Sequence, residues 1–385
     1  HPSNTNVKNK SLNNLEENFD SISPYKDEEV SDVIKSLTYD KRFHDLISAQ
    51  IYPSIFKIIP GLSSFLFRKT FIKSFGNSKS IEQFQNNLAP FVEEMIKRTT
   101  DGFSYSGSKN LSSRPTLYIS NHRDIALDSL FLNFARFMKG QKTVRIAIGD
   151  NLLDSGFFEK LMRLNKSFVV HRNIKGVKET LTKLANLSRF INHSLIVDQE
   201  SIWIAQSQGR AIDGHDFTDP AVLKMLYLSS RKSLEINEWV KQVNLTPVSI
   251  SYEYDPLDII KAIGWEGREE LSYEESNQRD LGELVKGIKE PKGRVHLHIG
   301  KNISEKVKNT EDLAKIIDQE IISNYKLWPS NYISAHALGC TDSKDNFEGR
   351  ENFFLQRFKT LDPEIKKKAL EMYSAPFQNQ KKEAK

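Results

Sequence analysis

The sequence predicts an α/β protein: a mixed, mostly parallel sheet flanked by helices, with an N-terminal helical region ahead of it. Two observations support this. Past Gly102 short apolar runs alternate with stretches of helical periodicity, the texture of an α/β sheet. Ahead of Gly102 the apolar residues recur at helical spacing.

Residues 1–26 open Asn-, Ser- and Lys-rich and are read as a disordered tail. From Asp27 the spacing of Val30, Val33, Ile34 and Leu37 predicts a short amphipathic helix. Ile81, Phe84, Leu88, Phe91, Val92, Met95 and Ile96 predict another, so 27–100 form the helical region. An α/β domain is expected over 101–330, with strands at 116–120, 143–148, 167–170, 194–198, 201–204, 246–252 and 294–299. Helical patterns lie between them, at Val177, Leu181, Leu184, Leu187 and Ile191, and after Pro220 at Val222, Leu223 and Leu226. Residues 253–293, charged and poor in apolar side chains, read as an insertion or long connection. Helical stretches at 311–325 and 363–373 follow; 331–376 form a C-terminal helical region, and 377–385 (FQNQKKEAK) a second disordered tail.

With 385 residues, 38% of them hydrophobic, the chain can bury a core for one large domain or two. It has no apolar run long enough to span a bilayer, and its first residues lack the tripartite pattern of a secretory signal. The single Cys340 leaves no internal disulfide and no multi-cysteine metal site, which fits a reducing, cytoplasmic location. A net charge of +5 suits anionic substrates or anionic lipid as well as an ordinary surface. Residues 46–76 mix Ile51, Tyr52, Ile55, Phe56, Ile58, Ile59, Leu62, Phe65, Leu66, Phe67 and Phe71 with Lys57, Arg68, Lys69 and Lys73. That mixture suits a membrane-surface segment, and equally a helical cap packed on the core.

Four polar clusters fall just past predicted strand ends, where ligands bind in open α/β sheets. The first is Asn121, His122, Arg123, Asp124 and Asp128. A His at a strand-to-helix turn has carboxylates two and six positions on, either able to hold one ring nitrogen and fix the tautomer a general base needs. Alternatively, Asn121 or Asp124 simply caps the helix. The others are His171, Arg172 and Lys175; Gln208, Gly209 and Arg210; and Tyr252 with Glu253. Arginines there suit a phosphate, and Gly209 permits close backbone approach.

Other chemistries lack their signatures. The sequence has no GxSxG, P-loop or GxGxxG motif. His296 and His298 share a strand face but have no matching carboxylate or cysteine nearby in sequence, so no metal site is expected. Aromatics are not interleaved with a basic stripe, so no nucleic-acid partner is expected.

In these clusters the sequence resembles the glycerol-3-phosphate/lysophosphatidate acyltransferase superfamily, most closely its bacterial glycerol-3-phosphate acyltransferase branch, over roughly residues 100 to 300. SNHRDIALD is similar to the family's first block, although five residues rather than four separate His122 from Asp128. GDNLLDSGFFEKLMRLNKSFVVHR resembles the second, which places Asn151 and Arg172 in the substrate site. QGRAIDG resembles the third, with Gln208 where the family has glutamate, and TPVSISYEYD the fourth, with Pro247 lining the acceptor or acyl site.

The resemblance implies acyl transfer from acyl-coenzyme A or acyl carrier protein to a phosphorylated or lysolipid acceptor in phospholipid synthesis, without cofactor or metal. His122 would be the base and Asp128, or Asp124, its orienting carboxylate. Arg123, Asn151, Arg172, Lys175, Gln208, Gly209, Arg210 and Pro247 would contact substrate. The expected location is the inner face of the membrane, peripherally bound. Two alternatives remain: an amino-acid-containing lysolipid as acceptor, of the lyso-ornithine type, and a non-catalytic lipid-binding protein on the same scaffold.

Overall fold

The structure is a computed structural model that describes residues 19–150, 156–172, 174–264 and 272–384. Five helices come first: α1 (Asp27–Thr38), α2 (Lys41–Ile51), α3 (Pro53–Ile58), α4 (Pro60–Phe75) and α5 (Ile81–Thr99). The sheet region follows as β1 (Phe103–Ser106), β2 (Leu117–Ser120), α6 (Leu127–Met138), β3 (Arg145–Gly149), α7 (Phe157–Leu164), β4 (Ser167–Val170), α8 (Val177–Ile196) and β5 (Ile202–Ala205). It continues through α9 (Pro220–Tyr227), α10 (Ile236–Gln242), β6 (Thr246–Tyr252), α11 (Asp258–Ile263), α12 (Tyr273–Lys289) and β7 (Val295–Ile299). The chain closes with α13 (Thr310–Asn324), α14 (Pro329–Ala337), α15 (Glu351–Gln356) and α16 (Pro363–Glu383).

The strands form one sheet in the order β1-β7-β6-β2-β5-β3-β4. The block β6-β2-β5-β3-β4 is parallel throughout, while β7 runs antiparallel to β6 and parallel to β1. Helical crossovers force that parallel arrangement and cover both faces, which is why every residue of β2 and β6 is buried. It also brings the carboxyl ends of five strands to one edge. The fold class expected from sequence is the one observed.

Several local expectations need correction. Residues 194–198 are not a strand: Leu187, Ile191 and Leu195 lie one helical turn apart and are all buried, so the apolar run continues α8 to Ile196. The short edge strand β1 escaped the sequence reading. Residues 253–293 are not a loose insertion: their described part contains α11 and α12, and several of its charges are buried in pairs. Lys261 bonds Asp255 at 2.6 Å, Glu253 meets Arg294 and Arg350 at 2.8 Å each, and Asp258 meets Arg357 at 2.7 Å. Residues 377–385 are no tail up to Glu383, because α16 continues through them and Gln380 donates to the carbonyls of Ile322 and Tyr325. Of the predicted tail 1–26, residues 1–18 lie outside the described residues. Ile22, by contrast, is buried and its carbonyl accepts from Val169 N at 3.0 Å.

Helix α4 has two apolar faces. Ser63, Phe67, Phe71 and Phe75 follow an i, i+4 stripe and are buried, with Phe67 and Phe71 packed edge-on to Phe43 at 5.3 and 5.2 Å. Phe67 and Phe71 therefore do not belong to a membrane face, since the core already uses them. Ile58 and Phe65 stay 80% and 50% exposed, with Ile59 and Leu62 exposed beside them.

At the other end of the sheet, Ser104 and Ser106 of β1 bond His296 at 2.7 and 2.9 Å, and Ser106 bonds His298 at 2.7 Å. Burial, with Lys326 nearby, pushes the His296 imidazole down to about 4 from an ordinary 6.5. Between those values the unfolded chain binds a proton that the folded one refuses, so this residue removes stability as pH falls through that window. His296→Gln should therefore lose less stability than the wild type between about pH 6.5 and pH 4. Urea unfolding at a series of pH values measures this; parallel stability curves for the two proteins would show that His296 does not contribute.

Candidate active site

The loop from Asn121 to Ala126 joins β2 to α6, and three tethers fix it. Asn121 spans to β6, with its amide nitrogen donating to Ile250 O at 2.9 Å and its oxygen accepting from Ile250 N at 2.8 Å. The His122 carbonyl accepts from Ala211 N at 2.9 Å. Trp203 of β5 donates to Ser120 Oγ at 2.9 Å and meets the His122 ring edge-on at 5.7 Å. Within this frame His122 Nδ1 lies 2.8 Å from Asp128 Oδ2.

Asp128, on the first turn of α6, is 1% exposed and accepts four hydrogen bonds. Oδ2 takes His122 Nδ1, Arg123 N at 2.7 Å and Asp124 N at 3.1 Å, while Oδ1 takes the Tyr252 hydroxyl at 2.7 Å. Since Asp128 acts as acceptor throughout, the His122 proton resides on Nδ1 and Nε2 is left as the accepting nitrogen. Asp124 does something else. Its Oδ1 caps α6 by accepting from Ala126 N and Leu127 N, both at 3.0 Å. Burial first, then Asp128, raise its carboxyl above the usual range, and Oδ2 has no hydrogen-bond partner among the described residues. Gly287 of α12 backs that oxygen so closely that a Cβ would sit 2.4 Å from it.

His122 opens onto a cleft of about 590 Å³ at the carboxyl ends of β3, β4 and β5, closed on one side by α8 and α9. Its volume suits a small-molecule site. Ile125, Ile148, Leu184, Leu187, Val222 and Met225 give it an apolar depth, and His171, Arg172, Gln208, Gly209, Arg210 and Asp280 a polar rim. A wider cavity of about 1870 Å³ opens elsewhere, lined by Arg145 and Lys166. There the cations are spent on Asp198 and Glu200, at 2.6 and 2.5 Å, and His122 is absent from the walls.

The structure brings together some of the predicted residues and separates others. Arg172 is exposed at the rim, and its backbone N meets Asp150 Oδ1 at 3.3 Å. Gln208, Gly209 and Arg210 follow β5, and Gly209 takes a φ of +83° that a side-chain-bearing residue rarely adopts. The Arg210 guanidinium is held by Glu283 of α12 at 2.6 Å, with Asp280 at 4.0 Å.

Arg123, expected at the substrate, is buried instead. It grips Asp216 at 2.5 Å and the Gly214 carbonyl at 3.1 Å, tying the His122 loop to the segment after Arg210. Pro247 lies in β6 beside Ile119, and it is not among the cleft walls. Lys175 is exposed and is likewise not a wall residue. Asn151 lies outside the described residues. Sequence reasoning missed Asp216, Trp203, Asp150, Asp280 and Glu283, since no spacing links them to the clusters they complete.

The class defined by fold and site is an α/β protein with a His–Asp pair at a strand-to-helix turn beside an apolar cleft. Residues 102–207 match the Acyltransferase family model, a segment that runs from β1 past β5 and contains the His122 loop. That match supports the acyltransferase superfamily. No curated protein matches the chain. Among solved structures, the chain is similar to the 1-acyl-sn-glycerophosphate (LPA) acyltransferase PlsC from Thermotoga maritima. The identity is 14% over 72% of this chain and 94% of that one, with a TM-score of 0.35.

Proposed function

We propose that the protein is an O-acyltransferase that moves a fatty acyl group from an acyl-coenzyme A or acyl carrier protein thioester to a hydroxyl of glycerol-3-phosphate or lysophosphatidate. One observation carries the reading: His122, oriented through Nδ1 by a buried carboxylate, lines a cleft with an apolar depth. The acceptor hydroxyl gives its proton to His122 Nε2 as its oxygen attacks the thioester carbonyl. The tetrahedral intermediate then collapses, the carbon–sulfur bond breaks, and the thiolate takes the proton back from the imidazolium. No acyl-enzyme forms. The acyl chain lies along the apolar walls, and Arg172 at the rim holds the acceptor's phosphate, placing its hydroxyl by orientation. Arg210 is already countered by Asp280 and Glu283, and this charge balance favours, as second reading, an amino-acid-containing lysolipid whose headgroup carries both signs.

Among the described residues no helix is long and apolar enough to cross a membrane. The proposed contact with lipid is the outer face of α3 and α4, where Ile58, Ile59, Leu62 and Phe65 are exposed. From Leu46 to Ser80 the chain has no acidic residue, while Lys57, Arg68, Lys69, Lys73 and Lys79 are basic, which suits the anionic inner face of a membrane.

Mass-spectrometric analysis of products from acyl-thioester and a panel of acceptors tests the reaction. His122→Ala should slow transfer about 10²- to 10⁴-fold in a folded protein. Asp128→Asn should harm it more than Asp124→Asn; near-wild-type turnover in His122→Ala would end the reading. Arg172→Ala should raise the KM for a phosphorylated acceptor by about 1.5 to 3 kcal/mol equivalent. If the thioester KM changes alone, Arg172 serves the donor. In vesicle co-sedimentation, a variant carrying Ile58→Ser, Leu62→Ser and Phe65→Ser should lose binding to anionic lipid while keeping its circular dichroism; unchanged binding puts the lipid contact elsewhere.

A further inference from the structure

Tyr252 ends β6 and is 4% exposed, with its hydroxyl 2.7 Å from Asp128 Oδ1. Its ring is pinned: it meets Phe131 of α6 edge-on at 6.1 Å, and its backbone is in register with Val295 of β7. A buried phenol that is held at both ring and backbone has one direction in which to donate, and it donates to a carboxylate. Asp128 Oδ2 is occupied by the imidazole and two backbone amides, so the Tyr252 hydroxyl is the donor on the other oxygen.

We propose that Tyr252 is a positioning residue for acyl transfer, a third member of a His122–Asp128–Tyr252 chain that fixes the rotation of the Asp128 carboxylate and moderates the negative charge felt by His122. The proposal rests on the reading of His122 as general base. Without the hydroxyl, Oδ1 would be a buried anionic oxygen lacking its donor, and the carboxylate could turn about its Cβ–Cγ bond and loosen the imidazole. The surroundings add acids more than they relieve them. Asp124 faces from the loop and Asp255 from the segment after β6, and Tyr325, following α13, looks toward Asp128. The nearby cations are engaged elsewhere: Arg123 with Asp216, Lys261 with Asp255 and Arg210 with Glu283, while Lys292, buried beside Asp124, donates to the Thr99 hydroxyl and to the Ile288 and Glu290 carbonyls. Burial first, then Asp128 and Asp124, raise the Tyr252 phenol well above its ordinary range, so it remains a donor at any working pH.

Removing the hydroxyl leaves more negative charge at Asp128, which favours the imidazolium. The acid limb of kcat/KM, where His122 must lose its proton to act as base, therefore moves to higher pH. The experiment is steady-state acyl transfer by the purified full chain, with acyl-coenzyme A and lysophosphatidate, over a pH series. Tyr252→Phe should lower kcat on the order of tenfold to a hundredfold, the rate equivalent of one charge-assisted hydrogen bond. The KM for both substrates should hold and the acid limb should rise.

Should Tyr252→Phe not fold, site-specific Tyr252→fluorotyrosine keeps the shape with a stronger donor and should move the acid limb down. Wild-type kcat and pH profile in a folded Tyr252→Phe, or an unmoved limb in the fluorinated protein, overturns the proposal. His122→Ala, run in parallel, separates the two ideas. If it keeps turnover, the general-base reading fails; if it is inactive while Tyr252→Phe behaves as wild type, only the role of Tyr252 fails.

Discussion

The arrangement of the site depends on one buried anion. An isolated carboxylate taken from water costs several kcal/mol, and Asp128 offsets this with four donors drawn from an imidazole, two loop amides and a phenol. Its place on the first turn of α6 adds the favourable end of a helix dipole. These contacts join the end of β2, the start of α6 and the end of β6. The loop that carries His122 cannot shift without exposing or stranding one of them, so the imidazole is held by the same bonds that keep the anion tolerable.

Much of this was legible in the sequence. His122 and Asp128 were visible because a strand-to-helix turn puts residues so spaced on facing sides of the turn, and the parallel strands were visible because burial on both faces makes them continuous apolar runs. The edge strand β1 was not, since FSYS alternates only two apolar residues and its pairing is set by β7, nearly two hundred positions away. Composition misled at 253–293 for a different reason. Charged residues usually mark solvent, yet Lys261, Glu253 and Asp258 are buried because each finds an opposite charge, and such pairs have no sequence signature.

The three arginines past β2, β4 and β5 show how little a strand-end position says about a side chain's task. Arg123 turns inward to Asp216 and the Gly214 carbonyl, and sits over the Tyr325 ring at 5.3 Å, so it stiffens the loop. Arg210 lines the cleft but leans on α12. Arg172 is solvent-exposed at the rim, with Asp150 and Asp280 near its guanidinium. Breaking either buried pair would strand a charge at a cost of about 3 to 5 kcal/mol. Loss of Arg123 or Arg210 would thus disturb the fold around the site whether or not either guanidinium meets a substrate, and a kinetic defect in those variants would say little about binding.

The same distinction between scaffold and contact applies to the N-terminal helices. Phe71 packs on Phe43, and Phe43 on Phe157 of α7 at 5.5 Å; α7 leads directly into β4, whose end carries His171 and Arg172 at the cleft. The inner face of α4 is thus braced, through three aromatic rings, against α7, the helix that leads into the strand forming one cleft wall. Pulling α4 away would expose Phe67, Phe71 and Phe75, each worth about 1.5 to 3 kcal/mol when buried, more than the about 1 kcal/mol each that Arg68, Lys69 and Lys73 gain near anionic lipid. On the proposed reading, then, lipid is met by a rigid face. Ile58, Ile59, Leu62 and Phe65 dip into the headgroup layer while the phenylalanine stripe behind them stays in the core, and the cleft keeps a fixed height above the membrane from which a lysolipid enters and the acylated product returns.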